Sequence, residues 1–302
     1  MEATTNWAKL WRELVEIKST PPHRRQDAGE EQDVWRERAR DFDARVKRRW
    51  ARPDSTREFV LGQLDSEATV LDIGAGTGAW ACLLAQHVRH VTAVEPSAAM
   101  IEVLCENVEA SRCHNVEVVQ GAWPDVDVGE HDFVLCSHAM YTSPDLPAFI
   151  WHMIAVTRRM CFLVLRVPAP DNVLSQAARH IWGQPYDGPN FIIAYNILQQ
   201  MGICPNVLME NTGVWPGETN DSLEEALAQT KRHFRLDGES RYDAYLTELL
   251  REHLSFGDGK YTWPPNVRSA LVYWPIDLLS AAAAAAYERK AHGALSLGIG
   301  ER

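Results

Sequence analysis

The sequence lacks any apolar run of the roughly 20 residues that a membrane-spanning helix needs. The N-terminal segment MEATTNWAKLWREL is amphipathic and has no apolar signal-peptide core. The chain has six cysteines, without a C-x-x-C pair or a Cys/His spacing typical of zinc sites. Because scattered cysteines of this kind stay reduced inside cells, we predict a cytoplasmic protein that makes no membrane contact.

Positive charge is also scarce. Lys and Arg number 30 against 41 Asp and Glu, which gives a formal net charge of -11 over 302 residues. Affinity for DNA or RNA depends largely on neutralising phosphates, so we predict no nucleic-acid partner. The arginines and lysines between residues 36 and 49 are interleaved with acids and are interpreted as the solvated face of a charged helix.

The most informative segment is residues 70–80, VLDIGAGTGAW. Its apolar start is typical of a buried parallel strand, and Asp72 interrupts that strand at a free-energy cost unless a ligand needs the acid. Gly74, Gly76 and Gly78 follow at alternate positions, before a helical pattern. Glycines there allow a sharp turn and a close approach of a ligand to the backbone. The pattern predicts a nucleotide-type binding turn.

Spacing alone leaves two interpretations of this turn. Gly74, Gly76 and Ala79 also satisfy the fingerprint of dinucleotide-binding folds, so an NAD-dependent oxidoreductase is an alternative. Asp72 favours the other interpretation, because a carboxylate beside a bound pyrophosphate would be repelled.

The DIGAGTG run resembles motif I of class I S-adenosylmethionine-dependent methyltransferases. The resemblance implies that the loop containing Gly74, Ala75, Gly76 and Gly78 passes under the methionine part of the cofactor. It also implies that Asp72 lies near the cofactor's amino end, where a carboxylate can face an ammonium.

Further matches follow in the order of the family. The segment HVTAVEPSAAM places Glu95 at the end of a second strand, 21 residues beyond Gly74. A carboxylate there can accept from both ribose hydroxyls, and the family carries its ribose-binding acid at this point. Pro96, Ser97 and Met100 match the residues that follow this acid in the family.

The third strand, in NVEVVQGAW, ends in a turn at Gly121, Ala122 and Trp123. Family members often carry an acid here that accepts from the adenine amino group, and this chain has none. The resemblance therefore implies that backbone groups and stacking on Trp123 recognise adenine.

The fourth strand leads into the turn SHAMY, which supplies Ser137 to the cofactor site and two candidate catalytic residues. His138 is the candidate general base, because an imidazole titrates near neutrality; a substrate-orienting or structural role is the alternative. Tyr141 is expected to hydrogen-bond the substrate or pack on a lid. Arg166, at the end of the fifth strand, is expected to pair with a substrate carboxylate or to close a surface ion pair.

Several subclasses do not match. The turn SHAMY differs from the N-P-P-Y-like turn of amino-group methyltransferases, and Cys136 lacks the neighbouring proline of cytosine C5 enzymes. The Mg²⁺ cage of catechol-type enzymes is incomplete, since position 137 is serine and Asp171-Asn172 lie beyond the fifth strand. We predict that no metal is used.

Strand and helix patterns alternate along the chain, which predicts a doubly wound, mostly parallel α/β sheet. With the resemblance, this becomes a seven-stranded Rossmann-like sheet. We predict an N-terminal helical cap (1–54), a cofactor-binding core (55–212), an inserted helical lid (213–264), and a last strand with a C-terminal helix (265–302). Strands are expected at 68–73, 90–94, 115–119, 132–136, 160–166, 206–210 and 269–274.

Aromatic residues in the cap and insertion are candidates for covering the substrate. Trp35 and Phe42 lie in a helical stripe that resembles the cofactor-covering helix of many small-molecule methyltransferases, while Trp215 and Trp263 flank the insertion. Core packing is the alternative for each. A homodimer through the insertion or the N-terminal helices is a further prediction.

These observations lead to one main hypothesis. We predict metal-independent transfer of a methyl group from S-adenosylmethionine to a small molecule, with S-adenosylhomocysteine as the product. The alternatives are an NAD-dependent oxidoreductase and a non-catalytic protein that binds S-adenosylmethionine.

Overall fold

A central sheet of seven strands organises the protein, as seen in a computed structural model that describes residues 5–19, 33–169, 172–210, 218–264 and 267–279. The strand order is β3-β2-β1-β4-β5-β10-β6. The strands of this sheet are β1 (Thr69–Ile73), β2 (His90–Glu95), β3 (Val116–Gln120), β4 (His131–Ser137), β5 (Thr157–Pro168), β6 (Asn206–Met209) and β10 (Val267–Pro275).

Strand β1 lies at the centre and all five of its residues are buried, as the apolar run predicts. It pairs in parallel with β2 on one side and β4 on the other. Strand β10 is antiparallel to both β5 and β6, so the last strand inserts between two earlier ones. The predicted mostly parallel, seven-stranded sheet is confirmed.

Helices cover both faces of the sheet. They are α1 (Trp7–Ser19), α2 (Ala39–Trp50), α3 (Ser55–Leu61), α4 (Ala79–Leu84), α5 (Ala98–Ala110), α6 (Leu146–Ala155), α7 (Val173–Ile181), α8 (Phe191–Gln200), α9 (Leu223–Phe234) and α10 (Asp243–His253). One face packs against α1, α6 and α8, and the other against α3, α4 and α5. Side chains between strands and helices exclude water on both sides, which is the arrangement that a near-continuous apolar β1 requires.

Helix α1 belongs to the main core and not to a separate cap. Trp11 and Leu14 are fully buried against α6 and the sheet, and the indole Nε1 of Trp11 donates to the Ser143 carbonyl at 2.8 Å. The predicted boundary at residue 54 therefore separates segments that pack together. Residues 33–50 are the part of the N-terminal region that covers the glycine turn.

The insertion before β10 forms a second, smaller core. Its helices α9 and α10 were expected and pack against α7 around Phe234 and Leu246. A three-stranded sheet, β7 (Thr219–Asn220), β9 (Lys260–Thr262) and β8 (Ser255–Gly257), was not predicted, because strands this short show no alternation. Trp215 and the predicted C-terminal helix lie outside the described residues.

Candidate functional site

The glycine turn between β1 and α4 has the backbone that its sequence predicts. Gly74, Gly76 and Gly78 adopt φ angles of 69°, 57° and 85°, a region that side chains with a Cβ disfavour. A Cβ on Gly74 would lie 2.2 Å from the Cβ of Ala139, in the turn after β4. The amides of Gly74 and Ala75 both donate to the Val94 carbonyl, at 2.8 and 3.0 Å. Gly74 is therefore required for both its backbone and its packing.

Asp72 is buried beneath this turn with an incomplete set of hydrogen bonds. Its carboxyl accepts a backbone hydrogen bond from Ala81, while its Oδ2 atom has no hydrogen-bond partner among the described residues. Burial, and secondarily the charge of Glu95, raises the pKa of Asp72 to about 7. An unpartnered buried carboxylate oxygen costs free energy, and a cationic donor would offset that cost. The site thus fits the ammonium group of an amino-acid ligand.

Glu95 ends β2 beside the turn and is only 6% exposed. Its Oε2 accepts from the Gly76 amide at 2.9 Å and its Oε1 from the Ser97 amide at 3.0 Å. Burial raises the pKa of Glu95, although both amide hydrogen bonds oppose the shift. Each oxygen keeps a lone pair for a further donor, which fits a pair of ribose hydroxyls.

The residues after Glu95 cap helix α5. The Ser97 hydroxyl accepts from the Met100 amide at 3.1 Å and donates to the carboxylate of Asp33. Met100 is buried and packs in the cluster that includes Val103, while Pro96 is exposed. Ser97 and Met100 are therefore engaged in capping and packing, and the predicted contact of their side chains with the cofactor stays a prediction.

Asp33 was not predicted as part of the site. Its carboxylate also accepts from the Ala99 amide at 3.1 Å, so it lies at the N-terminus of α5, where negative charge is favourable. This contact ties the segment before α2 to the turn that holds Glu95. No local signal marks this contact of Asp33 with α5, because Ser97 and Ala99 are more than 60 residues away in sequence.

Helix α2 covers the glycine turn as its resemblance to a cofactor-covering helix implies. The Phe42 ring approaches within 3.8 Å of the position that a Cβ on Gly76 would occupy. Trp35 packs edge-on against Phe42, with ring centroids 5.2 Å apart. Both rings also contact the cluster around Met100, so they cover the turn and contribute to packing at once.

The turn after β3 is attached to the same edge of the sheet. The Gly121 amide donates to the Glu95 carbonyl at 3.1 Å, and Ala122 is exposed. The indole of Trp123 donates to the Phe149 carbonyl at 3.2 Å and packs edge-on against the Phe149 ring. Trp123 is thus held against α6, and its stacking on adenine stays a prediction.

His138 follows Ser137, a half-buried residue at the end of β4, and takes a positive φ of 57°. Its Nδ1 lies 3.2 Å from the Tyr141 hydroxyl and its Nε2 lies 3.2 Å from the Ser269 hydroxyl. The Tyr141 oxygen also accepts from the Arg166 amide at 2.6 Å. Both ring nitrogens of His138 therefore have a hydroxyl partner, and either hydroxyl can donate or accept.

Burial lowers the pKa of His138 to about 3, and the charges of Arg49 and Arg166 act in the same direction. Burial raises the pKa of Tyr141 above its ordinary value. The two side chains are therefore neutral near pH 7. Arg49 is an exception to the predicted solvated basic face, since burial lowers its own pKa to about 10.

Arg166 extends from β5 beside this pair. Its guanidinium lies 5.4 Å from the Tyr141 ring centroid, and its Nε donates to the Pro189 carbonyl at 3.1 Å. Within the described ranges no carboxylate lies within ion-pair distance of Arg166. The surface ion pair that sequence analysis left open is therefore not seen there.

Trp263 lies in the core of the insertion, 5% exposed, and donates to the Asn220 side chain at 2.7 Å. This buried position fits a structural residue of the lid and not a wall of a substrate pocket. No group of three or more His, Cys, Asp or Glu residues with metal-binding geometry occurs in the part of the chain that the structure describes. Across the same residues no helix has both the length and the apolar character to span a bilayer.

Comparison with known proteins agrees with this geometry. Residues 70–160 match a family model described as a methyltransferase domain. The match begins in β1 and ends in β5, so it contains the glycine turn, Glu95 and His138. Residues 70–160 are therefore similar to a methyltransferase domain, and they lie in a mostly parallel sheet of the Rossmann-like kind.

Relatives and solved structures extend the likeness beyond this segment. An uncharacterized protein of Haemophilus influenzae is 26% identical over 223 residues, covering 71% of this chain and 78% of that protein. The crystal structure of the YcgJ protein from Bacillus subtilis superposes with a TM-score of 0.50 at 14% identity, covering 73% of this chain and 97% of the other. A SAM-dependent methyltransferase from Thiobacillus denitrificans, in complex with S-adenosyl-L-homocysteine, gives a TM-score of 0.45 at 12% identity, covering 73% and 91%.

Proposed function

We propose that the protein transfers a methyl group from S-adenosylmethionine to a small-molecule acceptor. The single observation that carries the proposal is the pair of buried acids flanking the glycine turn. Asp72 has a buried oxygen without a hydrogen-bond partner among the described residues, and Glu95 accepts from two amides while each of its oxygens can accept a further hydrogen bond.

When bound, S-adenosylmethionine supplies an electrophilic methyl group on a sulfonium. In this proposal Asp72 binds the cofactor's ammonium group and Glu95 its ribose hydroxyls, while Phe42 helps to exclude water above the turn. Positioning of the acceptor can supply much of the rate, on the order of 7–11 kcal/mol in favourable cases. We propose that no metal takes part.

His138 is the proposed base where the acceptor must lose a proton. Both ring nitrogens already have a hydroxyl partner, Tyr141 at Nδ1 and Ser269 at Nε2, so one of these contacts must break for His138 to receive that proton. The low pKa of His138 makes it a weak base, so orientation of the acceptor by Tyr141 and His138 is the second proposed role.

Two measurements test the proposal. Isothermal titration with S-adenosylhomocysteine should give one-site binding, whereas NAD⁺ should give none. Incubation of S-adenosylmethionine with a broad panel of small hydroxyl, amino and thiol acceptors should then produce S-adenosylhomocysteine, unchanged by EDTA. Cofactor binding with no turnover across the panel would favour a non-catalytic binding protein, and rescue of EDTA-treated enzyme by Mg²⁺ would contradict metal independence.

The remaining predictions concern the molecule as a whole. We propose that the protein has no nucleic-acid partner, based on its net charge of -11, and that it is cytoplasmic, based on its scattered cysteines. A homodimer through the insertion or the N-terminal helices is tested by light scattering coupled to size-exclusion chromatography, where a mass near the 34.1 kDa of one chain would contradict it.

A further inference from the structure

A group of basic side chains lies where α1, β5 and the insertion meet. Lys18 at the end of α1, Arg166 in β5, and His233 and Arg235 at the end of α9 come from three separate places in the sequence. Lys18, Arg166 and His233 act on one buried carboxylate, Asp187, and Arg235 acts on Lys18. We refer to these five residues as the basic cluster.

Gly188 brings two of these cations together. A Cβ at Gly188 would lie 2.5 Å from an Nη atom of Arg166 and 3.0 Å from the Nζ atom of Lys18. The guanidinium and the ammonium therefore converge on one side of the same peptide, which has no side chain there. Two like charges held this close repel each other unless an anion lies between or beside them.

Both carboxylate oxygens of Asp187 have partners close by. One oxygen accepts from the Ser175 hydroxyl at 3.3 Å, and the other lies 3.2 Å from the His233 Nε2 and 3.9 Å from the Lys18 Nζ. Burial alone would raise the pKa of Asp187, but the His233 hydrogen bond and the charges of Arg166 and Lys18 hold it well below its usual value. One carboxylate thus faces two cations, Lys18 and Arg166, because burial lowers the pKa of His233.

The electrostatics around Lys18 show the same imbalance. Burial, together with the charges of Arg166 and Arg235, lowers the pKa of Lys18 to about 8 despite the opposing charge of Asp187. On the other side of Arg166, the charges acting on His138 come from Arg49 and Arg166. The protein as a whole carries a net charge of -11, so this local positive excess is opposite to the average of the surface.

The cluster adjoins the proposed reaction site. The Arg166 amide donates to Tyr141, which in turn contacts His138 in the turn after β4. The path from Tyr141 through Arg166 to Lys18 therefore runs from the proposed reaction site toward the insertion. An acceptor with an anionic group would bind the basic cluster through that group, and this would place the reactive atom of the acceptor near His138.

We infer that the acceptor is an anion whose carboxylate or phosphate group binds between Arg166 and Lys18. This inference rests on the proposed function and adds the chemical class of the acceptor to it. Arg166 supplies a planar pair of donors suited to an oxyanion, and Lys18 a point charge. Asp187 and His233 position Lys18 and do not contact the acceptor.

The test uses the full-length protein saturated with S-adenosylhomocysteine and titrated with small probes. Benzoate and inorganic phosphate are the anionic probes, and benzamide is the neutral match to benzoate. We expect saturable binding of at least one anion, with benzoate about tenfold or more tighter than benzamide. Equal affinity for benzoate and benzamide, or no saturable binding of either anion, would overturn the inference.

Variants assign the binding to the cluster. Arg166→Gln and Lys18→Gln should each weaken anion binding about tenfold, and Gly188→Ala should weaken it while keeping both charges, because its Cβ displaces them. Lys9→Gln is the matched control on α1, where Lys9 is 71% exposed. Wild-type affinity in both charge variants, confirmed as folded by circular dichroism, would contradict the proposed site.

A final comparison separates the acceptor from the cofactor. The cofactor also carries a carboxylate, so each variant is titrated with S-adenosylhomocysteine and with 5′-methylthioadenosine, which lacks the amino-acid part. We expect both affinities to stay at wild-type level in Arg166→Gln. Loss of S-adenosylhomocysteine binding alone would assign the cluster to the cofactor and overturn the inference, whereas wild-type protein that binds neither nucleoside would refute the proposed function instead.

Discussion

Glu95 supports the glycine turn directly: its Oε2 atom accepts a hydrogen bond from the Gly76 amide at 2.9 Å. The acid predicted to bind ribose therefore also fixes the loop that lies beneath the rest of the cofactor. One side chain couples the ends of β1 and β2, and a change at Glu95 is expected to alter both parts of the site together.

Glu95→Gln should weaken S-adenosylhomocysteine binding about 10- to 100-fold, because hydrogen bonds to a charged group are worth roughly 1.5–3 kcal/mol. The glutamine side chain keeps one acceptor oxygen, but its NH₂ group faces a backbone N–H of Gly76 or Ser97 that needs an acceptor. Isothermal titration measures the loss. Glu109→Gln, exposed on α5, is the control and should bind as wild type; an unchanged affinity in Glu95→Gln would rule out the ribose role.

Gly74→Ala should abolish cofactor binding and lower stability by more than the roughly 1–2 kcal/mol of a left-handed alanine. The added Cβ would meet the Cβ of Ala139 at 2.2 Å. Gly183→Ala is a matched control, since Gly183 has a similar φ of 66° and nothing within 4 Å of its Cβ position. Chemical denaturation compares the two variants.

The double variant Gly74→Ala with Ala139→Gly checks the cause of the loss. Removing the Ala139 Cβ takes away the clash and leaves only the backbone strain. We expect the double variant to regain most of the difference between Gly74→Ala and Gly183→Ala. Equal destabilisation by the two single variants would show that contact with Ala139 is unimportant.

We expect ionised Asp72 to lower the stability of the folded protein and to strengthen cofactor binding. The pKa of Asp72 in the folded state, about 7, lies above the ordinary value of 3.8. Between pH 3.8 and pH 7 the folded state therefore holds a proton that the unfolded state has already lost. The contribution of Asp72 to stability therefore falls as the pH rises from about 4 to 7 and is constant above. Asp72→Asn should be more stable than wild type at pH 8, by about 1.4 kcal/mol for each pKa unit of the shift.

The difference between Asp72→Asn and wild type should vanish near pH 4 in denaturation experiments. Binding should show the opposite trend. Wild-type affinity for S-adenosylhomocysteine should rise between pH 6 and 8 as Asp72 ionises, whereas Asp72→Asn should bind weakly with no such rise. A variant that is less stable than wild type at every pH would contradict the assigned pKa shift.

His138→Asn tests the base. Asparagine tolerates the positive φ of 57° at this position better than most residues, so the backbone is expected to persist while the imidazole is lost. A base role predicts a kcat lower by roughly 10²–10⁴-fold with little change in cofactor affinity. A raised KM with unchanged kcat would assign His138 to orientation, and His114→Asn, at an exposed position, serves as the control.

Asp33→Ala should loosen the cover over the glycine turn. The variant removes an acceptor for Ser97 and Ala99 at the N-terminus of α5, worth about 1–2 kcal/mol. Hydrogen exchange of residues 33–50 should accelerate, and S-adenosylhomocysteine affinity should fall several-fold. Glu109→Ala, exposed at the C-terminal end of α5, should change neither measurement.

The sequence alone predicted the elements that arise from local patterns. The β1 strand, the glycine turn and the acid at the end of β2 follow from burial, backbone conformation and carboxylate chemistry, each of which acts over a few residues. Strand and helix positions in the sheet matched for the same reason, since apolar periodicity reports which side of an element is buried.

Only the tertiary structure decided which distant side chains meet. Asp33 reaches α5, and Lys18 and Arg166 converge beside Gly188, although nothing in their local sequences distinguishes them from solvated residues. Such contacts depend on how whole elements pack. Because the charge state of a side chain depends on that packing, the positive cluster and the neutral His138 appear only when the chain is folded.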